Sequence, residues 1–330
     1  MATGYDPIQI ACNNRSMPGS PGIACVQRLR RNIVAITVIG GLLLLVIHVS
    51  PVTAEEERKG HGHISVGYQY ISVDGFESST GTLDVGTTDT HALFFQLDYN
   101  LTDRLSLFAG LPLVRKRYEG TFPHNTAGLD PPNDTAPFID DGRYHSNWQD
   151  FSFGARYLAR SGSLQIEPYV GLEIPSNDYP FYGGAAVGQN VNKLDIGAHF
   201  TYVPPISDAF YQLEIGYVFV EKTLGVNIDH WRVNGSAGYF FGPRLSGRVF
   251  FLLKKGNGLV FPDDFPLPRT GEHWYQHDRM VRHNYMNIGV GLDWALNEKY
   301  ALSTSVMTMS WAEQVFKVDY ATNVTLTRSF

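Results

Sequence analysis

The sequence predicts an all-β fold: a transmembrane, antiparallel, up-and-down β-barrel of about 12 strands. Three observations predict it. The chain of 330 residues contains 18 Tyr, 20 Phe and 33 Gly, a composition typical of β structure. Successive segments of about a dozen residues, long enough for tilted membrane strands, alternate apolar and polar side chains. Short and long connectors also alternate, as they do in outer-membrane barrels.

The last predicted strand shows the alternation most clearly. The even-numbered residues from Phe316 to Leu326 are mostly apolar, and the odd-numbered ones from Lys317 to Thr327 are mostly polar. A period of two with one apolar face indicates a half-buried strand. The segment 299–311 keeps this period poorly. The predicted strands are 62–73, 89–100, 104–114, 148–160, 163–174, 190–203, 208–222, 229–241, 243–255, 281–295, 299–311 and 316–330.

The connectors divide into two groups, which predicts short turns at the periplasmic end and longer loops outside. An even number of strands places both termini at the periplasmic end. The aromatic residue Phe330 then closes the last strand and resembles the assembly signal of outer-membrane barrels. The short turns are 102–103, 161–162, 204–207, 242–243 and 297–298, and the opposite connectors are 74–88, 115–147, 175–189, 223–228, 256–280 and 312–315.

An export signal precedes the predicted barrel. A basic segment, the apolar run 33–49 and the small-x-small site 52–54 are typical of a cleaved signal peptide. We therefore assign 1–54 to the signal and 55–330 to an outer-membrane barrel of a Gram-negative cell. An uncleaved inner-membrane anchor is the alternative, although the run is short of the roughly 20 residues that span a bilayer. The segment before the basic residues is long for a signal, so Met17 is an alternative start.

Charge and cysteine content narrow the function classes. The first 54 residues hold both cysteines, four of the 26 basic residues and one of the 32 acidic residues, so 22 basic and 31 acidic residues remain. The mature chain is expected to lack disulfides and Cys-ligated metals. Its acidic balance argues against nucleic acid as a partner. We expect no cofactor, because neither a Gly-rich phosphate loop nor a dinucleotide fingerprint occurs.

The polar faces of the predicted strands argue against a soluble β-sandwich, whose inner face would be filled with large apolar residues. In a barrel these polar faces line a wet lumen. Their charges either select solutes or pair across the lumen and brace the wall, and the sequence leaves both open. The candidate lumen residues are Arg156, Glu167, Glu173, Asp195, Glu214, Arg232, Arg248, Asp293, Lys317 and Asp319.

The central region carries a family resemblance. The segment 148–157 (WQDFSFGARY) leads into a second strand that ends at Ile-Pro-Ser. Residues 145–177 resemble the outer-membrane family of meta-pathway phenol degradation proteins. Gln149 and Asn177 stand where that family has Gly. The resemblance implies a barrel that imports small hydrophobic or aromatic compounds. The residues that match the family motif are Asp150, Gly154, Arg156, Tyr157 and Pro175.

Several polar groups could carry other chemistry. Asp150 either binds a ligand or satisfies neighbouring backbone and Tyr groups. His273 and His277, beside Glu272 and Asp278, have the i, i+4 spacing that suits zinc on a helix. The Pro-rich segment 261–268 opposes a helix there, so we predict no metal site.

The remaining histidines and acidic residues give weaker indications of a functional site. His61 and His63 follow the cleavage site and are expected to form a flexible tail. Calcium needs a compact set of oxygen ligands, which the spacing of the acids in the longest loop does not provide, so we expect a solvated loop. These acids are Asp130, Asp134, Asp140 and Asp141.

An enzyme needs a nucleophile beside a base. His145-Ser146 is similar to the catalytic residues of outer-membrane phospholipases, whose barrels also have twelve strands. Adjacent residues of a strand point to opposite faces, however, so we predict no enzyme. The expected function is passage or binding of a small, aromatic or hydrophobic solute, with outer-membrane lipid and the barrel-assembly machinery as further partners. The alternatives are an outer-membrane acyl hydrolase and a non-conducting barrel whose loops 115–147 and 256–280 contact other surfaces.

Overall fold

The computed structural model describes residues 58–121, 123–124, 137–265 and 271–330. The predicted signal peptide, 1–54, and the acids Asp130 and Asp134 lie outside the described residues. Among the described residues, no helix is long and apolar enough to cross a membrane.

Thirteen strand segments form one antiparallel sheet that closes on itself, because β1 pairs with β2 on one side and with β13 on the other. β4 and β5 both pair with β3 and make one strand of the barrel, interrupted at Gln149. The prediction of a barrel of about 12 strands is therefore confirmed. The strands are β1 (Gly62–Ser78), β2 (Gly81–Asn100), β3 (Leu105–Glu119), β4 (His145–Trp148), β5 (Asp150–Tyr157), β6 (Leu164–Pro175), β7 (Lys193–Tyr202), β8 (Ala209–Val220), β9 (His230–Gly242), β10 (Leu245–Gly256), β11 (Asn284–Ala295), β12 (Tyr300–Glu313) and β13 (Val315–Ser329).

The seam of the barrel lies at the chain's last residues. Phe330 and Gly62 exchange two backbone hydrogen bonds of 2.9 and 3.0 Å, next to the long ladder between β1 and β13. A closed ladder leaves no strand edge, which a membrane requires because no water is present to satisfy backbone groups.

Alternation along the strands produces two different surfaces. On β11, Ile288, Val290 and Leu292 point outward and are about half exposed, whereas Asn287 and Tyr285 point inward and are buried. The same alternation recurs around the ring, so the outer wall is apolar, whereas the inner wall combines polar and charged groups with apolar clusters such as the one that contains Ile71, Met307 and Val318. This is the two-faced pattern of a membrane barrel.

The two ends of the barrel differ, as predicted. Short connectors at one end (the short-turn end) are 101–104, 158–163, 203–208, 243–244 and 296–299, and long ones at the other (the long-loop end) are 120–144, 176–192, 221–229 and 257–283. Loop 257–283 contains a short helix, α1 (Gly271–Tyr275), and a 3-10 turn (His277–Arg279).

Two of the predicted long-loop connectors are instead strand. The predicted loop 74–88 belongs to β1 and β2, which pair as far as Ser78 and Gly81, so the hairpin extends beyond the rest of the wall. The predicted loop 312–315 shrinks to Gln314, which takes a left-handed conformation with φ 58°. Its buried side chain accepts the backbone N–H of Phe261, and this bond compensates for an unusual backbone.

A β-bulge corrects the predicted faces of the last strand. Ser72 and Val73 pair with Tyr320 and Val318, which leaves Asp319 as an extra residue. One extra residue reverses the alternation. Val318 therefore points inward and is fully buried, although the period predicts it on the lipid face.

The same bulge removes two residues from the predicted lumen set. Lys317 lies on the outer side, with its Nζ 3.8 Å from Glu77 Oε1. Asp319 is exposed, and its carbonyl accepts the Thr308 hydroxyl at 3.0 Å. The prediction that Lys317 and Asp319 line the lumen is wrong, because the phase inferred from the end of β13 does not continue past the bulge.

Candidate functional site: the barrel interior and its vestibule

The remaining eight predicted lumen charges lie on the inner wall, and each has an opposite charge within ion-pair distance. The positions follow from the register, in which directly paired residues share a face. The pairs are Arg58 with Glu167, Arg156 with Asp98, Lys193 with Asp150 and Glu173, Arg232 with Asp195 and Glu214, and Arg248 with Asp293.

The densest network surrounds Glu214 on β8. Arg232 Nη2 donates to Glu214 Oε1 at 2.6 Å, and Asn234 Nδ2 donates to Oε2 at 2.7 Å. The Tyr169 hydroxyl donates to Oε1 at 2.9 Å, and Arg232 also pairs with Asp195. These groups come from four neighbouring strands, β6 to β9. A buried carboxylate with this many donors is fixed in position, so the network braces one side of the wall.

Sequence reasoning missed three inner-wall residues. Asp98 and Lys193 are the partners of predicted lumen residues, and Lys254 sits beside Arg232 in the ladder between β9 and β10. Alternation within the predicted strands would have placed all three inward, so the signal was present. Among the described residues, Lys254 forms no ion pair, and it places a positive charge next to another one.

The acid of the family-like motif holds a loop to the wall. Gln149 and Asp150 both oppose Pro112, so a second bulge turns Asp150 inward. The Asp150 carboxylate accepts the Tyr179 hydroxyl and the Lys193 ammonium. Burial and the nearby carboxylate raise the pKa of Tyr179 above its usual range. Asp150 thus satisfies neighbouring groups, the second of the two interpretations of this residue.

The other motif residues are structural in this fold. A Cβ on Gly154 would lie 2.2 Å from the Val170 carbonyl oxygen, so only glycine fits there. Arg156 points inward to Asp98, and Tyr157 points outward and is exposed. Pro175 pairs with Asp150 at the end of β6.

Three long loops are joined above the interior. The Asp140 carboxylate accepts the backbone N–H groups of Gly184 and Ala185 at 3.0 and 2.8 Å. Arg279 donates to the carbonyl oxygens of Gln189 and Asn190 at 2.6 and 2.9 Å. Loop 176–192 is therefore fastened to loops 120–144 and 257–283.

Asp140 itself corrects a prediction. It is buried, with hydrogen bonds to two loops, and is not a solvated surface acid. Burial opposes its ionisation, but the His124 side chain and backbone N–H groups hold the pKa of Asp140 below its usual value. Asp141 lies beside it and pairs with Arg143 and His145. Within the part of the loop that the structure describes, neither residue belongs to an oxygen cluster that would suit calcium.

Beneath the joined loops lies a cavity of about 690 Å³, which we call the vestibule. Most of its lining is aromatic or aliphatic. Burial and the charge of nearby Lys254 lower the pKa of one polar lining residue, His283, to about 3, so this imidazole is neutral. The lining includes Phe76, Leu83, Val85, Tyr118, Tyr182, Phe261, Trp274, Val281 and Phe316, with the polar residues His124, His277, Asp278 and His283.

Three smaller cavities continue the interior, the first with a mixed lining and the other two with charged linings. A cavity of about 110 Å³ shares Asp278, His283 and Phe316 with the vestibule, so the two adjoin. Two further cavities of about 150 and 160 Å³ lie toward the short-turn end and share Arg156 and Glu167. The interior therefore changes from apolar at the long-loop end to ionic at the other.

The His145-Ser146 pair considered for the hydrolase alternative does not share a face of the strand. His145 pairs with Lys116 and points inward, whereas Ser146 pairs with Arg115 and points outward. His145 Nε2 lies 2.8 Å from Asp141 Oδ1, but the hydroxyl of Ser146 is on the other face.

The histidines near the start of the barrel also depart from prediction. His61 lies in a hydrogen-bonded turn and His63 in β1, so the segment is not a free tail.

The i, i+4 histidine pair considered for zinc in loop 257–283 is also not formed on a helix. α1 ends at Tyr275, so His273 and His277 do not share a helix, and His273 is exposed. His277 is buried, and its ring lies beside that of His124, with centroids 5.2 Å apart and an angle of 15° between the ring planes. Sequence reasoning missed His124, because 153 positions separate it from His277 and no local pattern links them.

Comparison with solved structures finds proteins with a similar fold. An outer-membrane channel from Pseudomonas putida F1 aligns with a TM-score of 0.64 over 86% of this chain and 100% of that chain, at 16% identity. The CymD monoaromatic hydrocarbon channel (TM-score 0.43, 12% identity, 84% of this chain and 90% of that chain) aligns less well. The toluene transporter TodX of P. putida also aligns less well, with a TM-score of 0.40 and 8% identity over 82% of this chain and 89% of that chain. No family model and no curated protein match the chain.

The fold and the comparison define the class: a closed twelve-stranded barrel of the kind found in outer-membrane channels. The protein is an outer-membrane β-barrel, as predicted. At 16% sequence identity, the likeness to this channel is limited to the fold. The resemblance of 145–177 to the phenol degradation family stays a prediction.

Proposed function

We propose that this barrel admits small, predominantly apolar or aromatic solutes at its long-loop end and passes them across the outer membrane. The observation that carries the proposal is the vestibule. Its volume of about 690 Å³ lies within the range of small-molecule sites. Its aromatic lining with a few polar groups is typical of pockets that bind small organic molecules.

The position of the vestibule supports passage as well as binding. It lies at the long-loop mouth of the closed barrel and adjoins a smaller cavity bounded by polar residues such as Lys116 and apolar ones such as Phe94 and Val114. A solute that leaves the vestibule therefore meets a wall of mixed polar and apolar side chains, on which weak, successive contacts favour release over retention. The fold likeness to an outer-membrane channel is consistent with this order of events.

Binding can be measured through Trp274, which lines the vestibule. In detergent, phenol should quench part of the tryptophan fluorescence in a saturable manner, and glucose should not. The Trp274→Phe variant should lose the saturable component, while Trp294→Phe, on the outer wall, should keep it. Equal responses to phenol and glucose would contradict an apolar chamber.

Passage requires a second measurement. Single barrels in a planar bilayer should conduct ions, and phenol should interrupt the current for short periods. If the barrel carries no current with or without phenol, the proposed passage is wrong. If saturable quenching persisted in that barrel, the vestibule would be a binding site on a non-conducting protein.

A further inference from the structure

Three potential metal ligands converge on the wall of the vestibule. His124 belongs to loop 120–144, and His277 and Asp278 belong to the 3-10 turn of loop 257–283. The ligand atoms of the three residues lie within 4.8 Å of one another. His124 Nε2 is 3.4 Å from His277 Nε2, which is 3.3 Å from Asp278 Oδ1.

The other ring nitrogen of each histidine is held by an acceptor. His124 Nδ1 lies 2.9 Å from Asp140 Oδ2, and His277 Nδ1 lies 2.7 Å from the carbonyl oxygen of Trp274. An ionised carboxylate and a carbonyl oxygen can only accept, so both Nδ1 atoms donate. In the neutral rings, both Nε2 atoms then present lone pairs toward each other and toward Asp278.

This arrangement matches the outer shell of metal sites. Metal-binding histidines usually donate their second N–H to a carboxylate or a backbone carbonyl, which fixes the tautomer and the ring orientation. Here His124 has the carboxylate partner and His277 has the backbone carbonyl partner. The Asp140 carboxylate is itself fixed, because it also accepts the backbone N–H groups of His124, Gly184 and Ala185.

Two of the three distances between ligand atoms also fit a tetrahedral ion, and the third, between His124 and Asp278, is within 4.8 Å. Zinc lies about 2.0–2.1 Å from imidazole nitrogen and about 2.0–2.2 Å from carboxylate oxygen. At a tetrahedral angle, two such ligand atoms are about 3.3–3.4 Å apart. The separations of 3.4 and 3.3 Å agree with this geometry.

We propose that His124, His277 and Asp278 bind a divalent transition metal of the zinc type. Three protein ligands leave a fourth position, and all three residues line the vestibule, so this position faces its interior. The ion links loop 120–144 to loop 257–283 across the mouth of the barrel. The site goes beyond solute passage and does not depend on it.

The test is a zinc titration of the full chain, without a histidine tag, folded in detergent and measured calorimetrically. One equivalent of zinc should bind, and cobalt in its place should give the visible absorption of a tetrahedral ion. The variants His124→Ala, His277→Ala and Asp278→Asn should each lose this equivalent. Asp140→Asn, which keeps all three ligands, should weaken binding about 10- to 100-fold.

His273→Ala is the matched control, because His273 lies in the same loop but is exposed. It should bind zinc like the wild type. Far-UV circular dichroism establishes that each variant is folded, and the substitutions lie outside the barrel strands. If the wild type binds no more zinc than the His124→Ala/His277→Ala double variant, the proposal is wrong. The two Nε2 atoms would then be held together by a shared proton. Zinc binding is measured without solute, so its failure leaves the proposed transport function untouched.

Discussion

Arg232 on β9 donates to Glu214 on β8 at 2.6 Å, and no part of the Glu214 residue is exposed to solvent. The guanidinium also pairs with Asp195 on the next strand. One cation therefore holds two carboxylates that would otherwise repel each other inside the barrel. Removing one partner of a buried pair leaves an uncompensated charge, which is costly.

We expect Arg232→Ala to lower the free energy of unfolding by about 3–5 kcal/mol, since Glu214 and Asp195 lose their shared partner. Urea unfolding in lipid vesicles measures the change. Arg143→Ala is the control, because the Arg143 side chain is 84% exposed in its pair with Asp141 and should change nothing measurable. An equally small effect of Arg232→Ala would mean that lumen water replaces the ion pair.

Asp150 connects the barrel wall to loop 176–192 through the Tyr179 hydroxyl. In Asp150→Asn the amide cannot form the ion pair with Lys193, and its bond to Tyr179 is weaker because it lacks charge. Amide hydrogen exchange within loop 176–192 should become faster, while exchange in β11, on the far wall, stays the same.

Glu221→Gln is the matched substitution for this test. Glu221 is exposed and binds Asn192 at the other end of the same loop. Its loss should leave exchange around Tyr179 unchanged, since only the Asp150 contact is buried. Faster exchange in both variants alike would show that any acid near the loop has this effect, and the anchoring role of Asp150 would be refuted.

The regular parts of the wall were predictable from the sequence because each side chain's environment follows from its position in the period. On β11, the alternation of Ile288 and Val290 with Gly289 and Asn287 describes both faces correctly. The bulge at Asp319 was not predictable in this way. A single extra residue leaves the apolar content of β13 unchanged but reverses its faces, and Lys317 and Val318 were misplaced for that reason.

The contacts of the long loops were beyond local pattern altogether. His124 and His277 meet because loops 120–144 and 257–283 fold over the same opening, and only the closed ring sets that proximity. Asp140 was expected in solvent, yet two backbone N–H groups of a distant loop surround it. The lining of the vestibule is therefore brought together only by the tertiary structure, although most of its aromatic residues lie in strands and connectors that the sequence predicts.

The free-energy cost of a charged side chain on the outer wall should depend on its depth in the membrane. Val290 lies near the middle of β11, pairs with Val249 and Val306, and is 53% exposed. Val290→Arg should lower the free energy of unfolding in lipid by about 2–4 kcal/mol, because the charge enters hydrocarbon. Tyr300→Arg, at the first residue of β12 and closer to the interface, should cost at most about 1 kcal/mol. Equal costs at both depths would argue against this placement of the membrane.

Phe316 lies between the vestibule and the adjoining cavity of about 110 Å³, since it lines both. Its ring packs edge-on against Phe76, with centroids 5.3 Å apart, on the inner wall below the joined loops. A side chain at such a junction limits the size of what passes, because the barrel wall behind it cannot move aside. Shortening Phe316 should therefore widen the junction, and enlarging it should narrow the junction.

Phe316→Ala is expected to raise single-channel conductance and to shorten the current interruptions caused by phenol, because the solute leaves the vestibule more easily. Phe316→Trp should lower conductance and lengthen the interruptions. Phe219→Ala removes an equally large ring from the lipid-facing side of β8 and should leave both quantities unchanged. Changes in the same direction for the smaller and the larger side chain would place the limiting constriction elsewhere in the interior, among the ion pairs of the short-turn end.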